Sequence, residues 1–198
     1  MGRLFTHEIL ENTSNATVVL TVRVLLSAEQ QRILDAFNRR CDKGQVVYQQ
    51  LDLVDSNAVL STMLAISEKY TQINGILHSA GMIADNFILR KSRDEFAQVI
   101  QPKLTGSLNL DLATAKFDLD FFVLFSSESS LGSVGQADYA FANDFMNHFA
   151  AHRNAQVDNG ERMGRTLAIN WPLWDQGGMS LAASNLQQVT TNTGMHPM

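Results

Sequence analysis

Four residues of this chain have types and spacing that suit chemistry at a carbonyl group. Tyr139 and Asn143 are four residues apart in a predicted helix, so they share one face of it. Ser126 and Ser127 end the strand that precedes this helix. A serine hydroxyl would hold the carbonyl oxygen, and the tyrosine hydroxyl would give it a proton. The alternative is that Tyr139 is a half-buried aromatic residue and the two serines belong to a turn.

A cation close to the tyrosine would help such chemistry. Tyrosine has an ordinary pKa of about 10 and therefore exchanges its proton reluctantly at neutral pH. A neighbouring ammonium group favours the phenolate and lowers that pKa. Lys103, on the helix before the serine-bearing strand, is the candidate for this charge. We therefore expect Lys103 to lower the pKa of Tyr139.

Alternating strand and helix signals surround these residues. Short apolar runs predict strands at 17–22, 46–53, 74–81, 119–127 and 165–171. Amphipathic spacing and capping residues predict helices at 2–12, at 27–44, after Asp55, at 92–116 with an interruption at Pro102, and at 137–156. This alternation is typical of an α/β fold with a Rossmann-like doubly wound parallel sheet. In such folds ligands bind at the carboxyl ends of the strands.

Composition narrows the function classes. The 198 residues suit one domain, and 45% of them are hydrophobic, which excludes a disordered chain. A net charge of −5 argues against a nucleic-acid surface, which needs clustered Lys and Arg. The longest wholly apolar run, at 121–125, is far shorter than the roughly 20 residues of a membrane-spanning helix. The single cysteine, Cys41, predicts a reducing cytoplasm.

The stretch from His78 to Met179 resembles a ketoreductase domain of a modular polyketide synthase, within the short-chain dehydrogenase/reductase superfamily. Its motifs are most similar to those of ketoreductases from bacterial trans-acyltransferase assembly lines. The strings that carry the resemblance are HSAG (78–81), QPKLTGSLNLD (101–111), LDFFVLFSS (119–127), GQADYAFAN (135–143) and INWPLWDQGGM (169–179).

The resemblance implies a catalytic set. Tyr139 would be the proton donor, Lys103 its charge partner and Asn143 a relay residue. The family places the lysine upstream and an asparagine four residues after the tyrosine, whereas most other members of the superfamily do the reverse. Ser126 has the family's usual spacing to the tyrosine, but Ser127 is the second serine of the FSS string. We favour Ser127, because a strand end is a firmer anchor than a loop length.

The resemblance also implies a site for NADPH. Arg23 would hold the 2′-phosphate, Asp52 would lie near the adenine, and Ser79, Ala80 and Gly81 would form a close backbone turn beside the cofactor. The alternatives are a surface cation for Arg23 and a helix-cap or turn acid for Asp52. No metal site is expected, although a His148–His152 pair has helical spacing.

Two residues bear on the substrate. Asp85 stands where ketoreductases that give the D-configured alcohol carry an aspartate, and a helix N-cap is its alternative role. Trp171 resembles the start of the substrate lid, and ordinary core packing is its alternative. His78, at a strand end, is expected to be structural.

The family carries a strand and a Gly-rich turn before residue 2 and a final strand and helix after residue 198. We therefore expect residues 1–198 to form a single ketoreductase-like domain that lacks these elements. Without the glycine cradle for the pyrophosphate, we expect this chain alone to bind NADPH weakly or not at all.

The predicted function is NADPH-dependent reduction of a β-keto group to a β-hydroxy group on an intermediate tethered to an acyl carrier protein, with the D configuration expected from Asp85. Other polyketide synthase domains are the expected partners. One alternative is an inactive ketoreductase remnant, or a structural or docking fragment of a synthase. Another is epimerase or dehydratase chemistry on nucleotide sugars, which asparagine rather than lysine at position 143 disfavours.

Overall fold

Helices and strands alternate along the chain, as the sequence predicts. The structure is a computed structural model, and it describes residues 2–41 and 43–174. The helices are α1 (Gly2–Asn12), α2 (Ala28–Arg40), α3 (Ser56–Tyr70), α4 (Arg93–Ala113) and α5 (Ala137–Asp158). The strands are β1 (Ala16–Val22), β2 (Gly44–Gln50), β3 (Gly75–His78), β4 (Phe121–Ser127) and β5 (Arg165–Trp171). Short 3₁₀ turns lie at Ile88–Arg90 and Glu128–Leu131.

Local side-chain bonds explain where three helices begin. Ser27 and Gln30 form the predicted capping box at the start of α2, and Asp55 caps α3 by accepting from two backbone N–H groups. A second capping box, between Ser92 and Glu95, starts α4. These bonds satisfy backbone donors that a helix N-terminus otherwise leaves without partners.

The predicted interruption of α4 at Pro102 is wrong. The helix runs through Pro102, although proline has no N–H to donate to the preceding turn. Pro102 is buried, and α4 packs on one side against α3 and on another against α5. This packing outweighs the lost backbone bond, so tertiary structure overrides the local preference.

The strands are all parallel, and within the described residues they pair in two groups. β1 pairs with β2, and β3, β4 and β5 form a second sheet with β4 in the centre. No strand of the described residues hydrogen-bonds to both β1 and β3, so each of these strands keeps one edge outside the ladders. The prediction of an α/β fold with parallel strands and helices on them is confirmed.

The apolar core lies around β4. Phe122 and Leu124 of this strand are fully buried and pack with Val59 of α3 and Met146 of α5. Because a central parallel strand is covered on both faces, it is apolar at successive positions rather than at alternate ones. This core fixes the carboxyl end of β4 beside the start of α5.

A buried charge network ties α4, α5 and β5 together. The Arg153 guanidinium donates to Asp111 Oδ1 at 2.8 Å and to Thr166 Oγ1 at 3.0 Å, and no part of Arg153 is exposed. Asp111 also accepts from Arg162 at 3.1 Å. The network completes the packing of the two long helices that carry Lys103 and Tyr139.

Candidate functional site

The predicted site residues that follow strands all lie at the same end of their sheets, because the strands are parallel. Residues that end the five strands or lie within two positions after them include Arg23, Asp52, Ser79, Ser127 and Trp171. In open parallel sheets this carboxyl end is where ligands bind.

Tyr139 lies in the first turn of α5, next to the end of β4. Burial raises the pKa of Tyr139, while hydrogen bonds with the side chains of Asn143 and Ser127 act in the opposite direction. The carboxylate of Asp85 adds a smaller increase to the pKa. The structure thus brings together Tyr139, Ser127 and Asn143, which the sequence groups as candidate catalytic residues.

The two serines of β4 face different surroundings. The Ser126 side chain is buried, and its hydroxyl donates to the Asn143 backbone carbonyl at 3.0 Å. Ser127 is half-buried, contacts the Tyr139 hydroxyl and accepts from the Ser129 N–H at 3.2 Å. The alternation of side chains along a strand explains why only one of the two points toward Tyr139.

Asn143 is hydrogen-bonded to Ser126, Ser129 and Tyr139. Its amide Nδ2 donates to the Tyr139 backbone carbonyl at 2.8 Å and to Ser129 Oγ at 3.2 Å. No part of Asn143 is exposed, so its orientation is fixed by these bonds. An asparagine inside a helix that bonds back four residues keeps its amide beside the tyrosine one turn earlier.

Lys103 approaches Tyr139 from α4. Its Nζ lies 5.7 Å from the centre of the Tyr139 ring and donates to the Phe125 backbone carbonyl at 2.6 Å. Burial lowers the pKa of Lys103 from its ordinary value of 10.5 to about 7. Burial of the phenol outweighs the other influences, so the pKa of Tyr139 is raised overall, and a lowering of this pKa by Lys103 stays a prediction.

The depressed pKa of Lys103 has a consequence for stability. Between pH 7 and 10.5 the unfolded chain holds a proton on Lys103 that the folded chain lacks, so the unfolding free energy rises with pH. The contribution is at most about 1.4 kcal/mol per pH unit, and Lys103→Met should remove it. Urea unfolding at pH 7.5, 8.5 and 9.5 (~1 unit apart) measures how the unfolding free energy changes with pH in the wild-type chain and in Lys103→Met.

The matched control is Lys116→Met, which removes an exposed lysine. The unfolding free energy of this variant should rise with pH as steeply as that of the wild-type chain. Equal slopes in the wild-type chain and Lys103→Met would contradict the burial of an amine whose pKa is depressed.

The loop between β3 and α4 is hydrogen-bonded to the residues just before α5. Gln136 donates from Nε2 to both carboxylate oxygens of Asp85, each at 3.0 Å. The Asn86 N–H donates to the Gly135 carbonyl at 2.9 Å. Asp85 is therefore not a helix N-cap. Gln136 was not among the predicted site residues, although its place directly before the predicted helix at 137–156, three residues before Tyr139, is a usable signal.

The residues predicted to hold a cofactor are exposed or half-buried at the same end. Arg23 is exposed, and Asp52 accepts from the Val54 N–H at 3.0 Å, as in the predicted turn alternative. A Cβ on Gly2 would lie 3.5 Å from Ser79 Oγ, so the N-terminus of α1 contacts the loop after β3. Backbone N–H groups at a helix N-terminus favour anionic groups.

Trp171 and His78 both take part in packing. The Trp171 ring lies 5.8 Å from the Phe5 ring and 5.6 Å from the Phe125 ring, in the packing role given as its alternative. Residues 175–179, where the lid would continue, lie outside the described residues.

His78 is 2% exposed, and burial, with the charge of Lys103 adding to it, lowers the pKa of His78 to about 3. It is therefore neutral at ordinary pH.

Metal-binding and membrane-spanning features are absent from the described ranges. Within residues 2–41 and 43–174, no group of three or more His, Cys, Asp or Glu side chains is placed to hold a metal ion. His148 pairs with Asp144 at 3.6 Å on an exposed face. Among the helices described, none combines the length and the apolar character that crossing a membrane requires.

Comparison with protein families and curated proteins gives consistent matches. The family model described as "KR domain" matches residues 1–176. The chain is 42% identical to "Polyketide synthase PksN" and to "Polyketide synthase PksL", both from Bacillus subtilis (strain 168), over 199 aligned positions that include 100% of the chain. It spans 4% of the length of each of these proteins.

Solved structures agree with these matches. A "ketoreductase domain from the bacillaene assembly line" has a TM-score of 0.94 and 43% identity, covering 100% of this chain and 47% of that one. An "N-terminal ketoreductase from macrolactin assembly line" has a TM-score of 0.81 and 37% identity, covering 88% of this chain and 35% of that one.

Proposed function

Because the chain belongs to the KR (ketoreductase) domain family of polyketide synthases, whose members are oxidoreductases, we propose that it reduces the β-keto group of an acyl chain to a β-hydroxy group. KR domains bind a nicotinamide cofactor, and we propose NADPH for this chain. The substrate is an intermediate tethered to an acyl carrier protein, and other synthase domains are the partners. The free Cys41 fits the cytoplasmic location predicted from the sequence.

One observation carries this proposal: the hydroxyl groups of Ser127 and Tyr139 lie within hydrogen-bonding reach of each other at the carboxyl end of β4. Two hydroxyl donors held together can both bond to one carbonyl oxygen placed beside them. Donors fixed in advance stabilise the negative charge that develops on that oxygen during reduction.

The charges around Tyr139 suit a proton donor. Its raised pKa keeps the phenol protonated at neutral pH, so the proton is available to the developing alkoxide. Lys103, whose pKa is about 7, exchanges a proton readily near neutral pH and lies 5.7 Å from the phenol ring. Asn143 holds the backbone of the tyrosine in place through its 2.8 Å hydrogen bond.

The carboxyl ends of β1 and β3 have the chemistry to hold the cofactor. When bound, NADPH supplies the hydride, and the protein positions it. The exposed Arg23 guanidinium suits a 2′-phosphate, since its planar donor set can bond a phosphate in bidentate fashion. The contact between Gly2 and Ser79 lets the N-terminus of α1 approach an anionic group at the loop that contains Ala80 and Gly81.

Asp85 supports the proposal of a D-configured alcohol. Its carboxylate is held by Gln136 at 3.0 Å and lies close enough to Tyr139 to raise the pKa of the phenol. Any substrate whose carbonyl reaches Tyr139 therefore also meets this loop, which limits the face of the carbonyl that the cofactor can reach.

The two serines provide the test. We expect Ser127→Ala to lower kcat for a β-ketoacyl thioester by about 10²–10³-fold, as for loss of one donor to a developing oxyanion. Ser126→Ala should leave kcat nearly unchanged and lower the unfolding free energy by about 1–3 kcal/mol, because the Asn143 carbonyl loses its buried partner. Absorbance of NADPH and urea unfolding measure the two effects.

The comparison separates the proposal from its rivals. Equal losses of kcat in the two variants would contradict the role of Ser127. A folded wild-type protein without turnover would favour the inactive remnant or docking fragment.

A further inference from the structure

A buried ion pair connects the loop after β3 to the start of α5. Lys91 Nζ lies 2.5 Å from Asp138 Oδ2, and the two side chains are 2% and 1% exposed. Lys91 also donates to the Ala84 carbonyl. Asp138 accepts the Tyr139 N–H at 2.9 Å with its other oxygen, Oδ1. The pair therefore bonds to the neighbour of Asp85 on one side and to Tyr139 itself on the other.

Two more contacts join the same segments. They are the bonds from Gln136 to the Asp85 carboxylate and from the Asn86 N–H to the Gly135 carbonyl. Of these three contacts, the Lys91–Asp138 pair is the one made by two charged and fully buried groups. It spans 47 positions of sequence, so it fixes a tertiary relation that no local bond can fix.

Burial makes this pair a poor source of stability. Removing two charges from water is unfavourable, and their attraction roughly offsets that loss, so apolar or neutral residues of the same shape often replace such pairs without loss of stability. What the charges do supply is a fixed geometry between the groups that they join. The ammonium group has three donors, and the structure directs them toward the Ala84 carbonyl and the Asp138 carboxylate.

We propose that the Lys91–Asp138 pair positions the Tyr139 hydroxyl against Ser127 and against the loop that carries Asp85. Lys91 and Asp138 are positioning residues for the reduction, acting through Tyr139, and this inference rests on the proposed function. A small displacement of the phenol from its partners is sufficient to reduce proton transfer strongly.

The double variant Lys91→Met/Asp138→Asn tests the proposal. It removes both charges together, so no buried charge is left without a partner, and the new amide side chain keeps an oxygen for the Tyr139 N–H. We expect its urea midpoint and its KM for a β-ketoacyl thioester to match those of the wild-type protein. Its kcat should fall by about 10-fold to 100-fold, because the phenol is no longer held against Ser127.

A second measurement does not depend on turnover. Ultraviolet titration of the tyrosines, with Tyr139→Phe subtracted, reports the ionisation of Tyr139 among the three tyrosines of the chain. Burial raises the pKa of this phenol in the wild-type protein. In the double variant we expect ionisation at lower pH, toward the ordinary value of about 10.

The matched control is Arg165→Met/Asp158→Asn, which neutralises an exposed ion pair at the other end of α5. It should change neither kcat nor the titration. Unchanged kcat and unchanged Tyr139 ionisation in Lys91→Met/Asp138→Asn would overturn the proposal, as would failure of this variant to fold. If the wild-type protein lacks turnover, the proposed function fails, and the titration alone then decides whether the pair positions Tyr139.

Discussion

Replacing Tyr139 with phenylalanine is expected to lower kcat for a β-ketoacyl thioester by about 10²–10⁴-fold, the usual contribution of a general acid. The Tyr139 hydroxyl lies within reach of Ser127, and Lys103 Nζ lies over the phenol ring. Phenylalanine keeps the ring and its packing, so stability and NADPH affinity should be nearly unchanged. Steady-state absorbance of NADPH measures the rate, and fluorescence titration measures the affinity.

Tyr70→Phe is the matched control for this variant. Tyr70 ends α3, is half-buried, and interacts with Lys69 rather than with any candidate site residue. Its loss should leave kcat unchanged. A Tyr139→Phe protein that is folded and as active as Tyr70→Phe would remove Tyr139 from the proton-transfer step.

The second large effect concerns stability. Asp111→Ala should lower the unfolding free energy by about 3–5 kcal/mol, because it leaves the fully buried Arg153 guanidinium without its carboxylate. For a chain of this size the loss corresponds to a decrease in Tm of about 6–20 °C. Calorimetry and urea unfolding measure it. Since a domain's net stability is roughly 5–15 kcal/mol, the variant loses a large share of the total.

Asp158→Ala supplies the comparison, because Asp158 pairs with Arg165 where both side chains are exposed. Such a surface pair contributes about 0–1 kcal/mol. If Asp111→Ala destabilised the protein no more than Asp158→Ala, the buried network would not be what joins α4, α5 and β5.

Features with local causes were predictable from the sequence. The apolar run of β4, the capping box at Ser27 and the long helix α5 depend on neighbouring residues, and each lies close to its predicted position in the structure. Strand ends in a parallel sheet share one side, so the order of the motifs was also sufficient to group Ser126 and Ser127 with Tyr139.

Features with tertiary causes were not predictable. The continuity of α4 through Pro102 depends on packing against α3 and α5. The direction of the Tyr139 pKa depends on how deeply the phenol is buried, which spacing does not reveal. The partnership of Lys91 with Asp138 joins two segments that have no local pattern in common.

The most direct measurement follows the hydride itself. A β-ketoacyl thioester is incubated with NADPH that carries deuterium at the transferable position of the nicotinamide, and the product is analysed by mass spectrometry. We expect a β-hydroxyacyl thioester with deuterium on its β-carbon, formed by the wild-type protein and abolished by Tyr139→Phe. A folded, NADPH-binding protein that transfers no deuterium to the β-carbon would contradict the account.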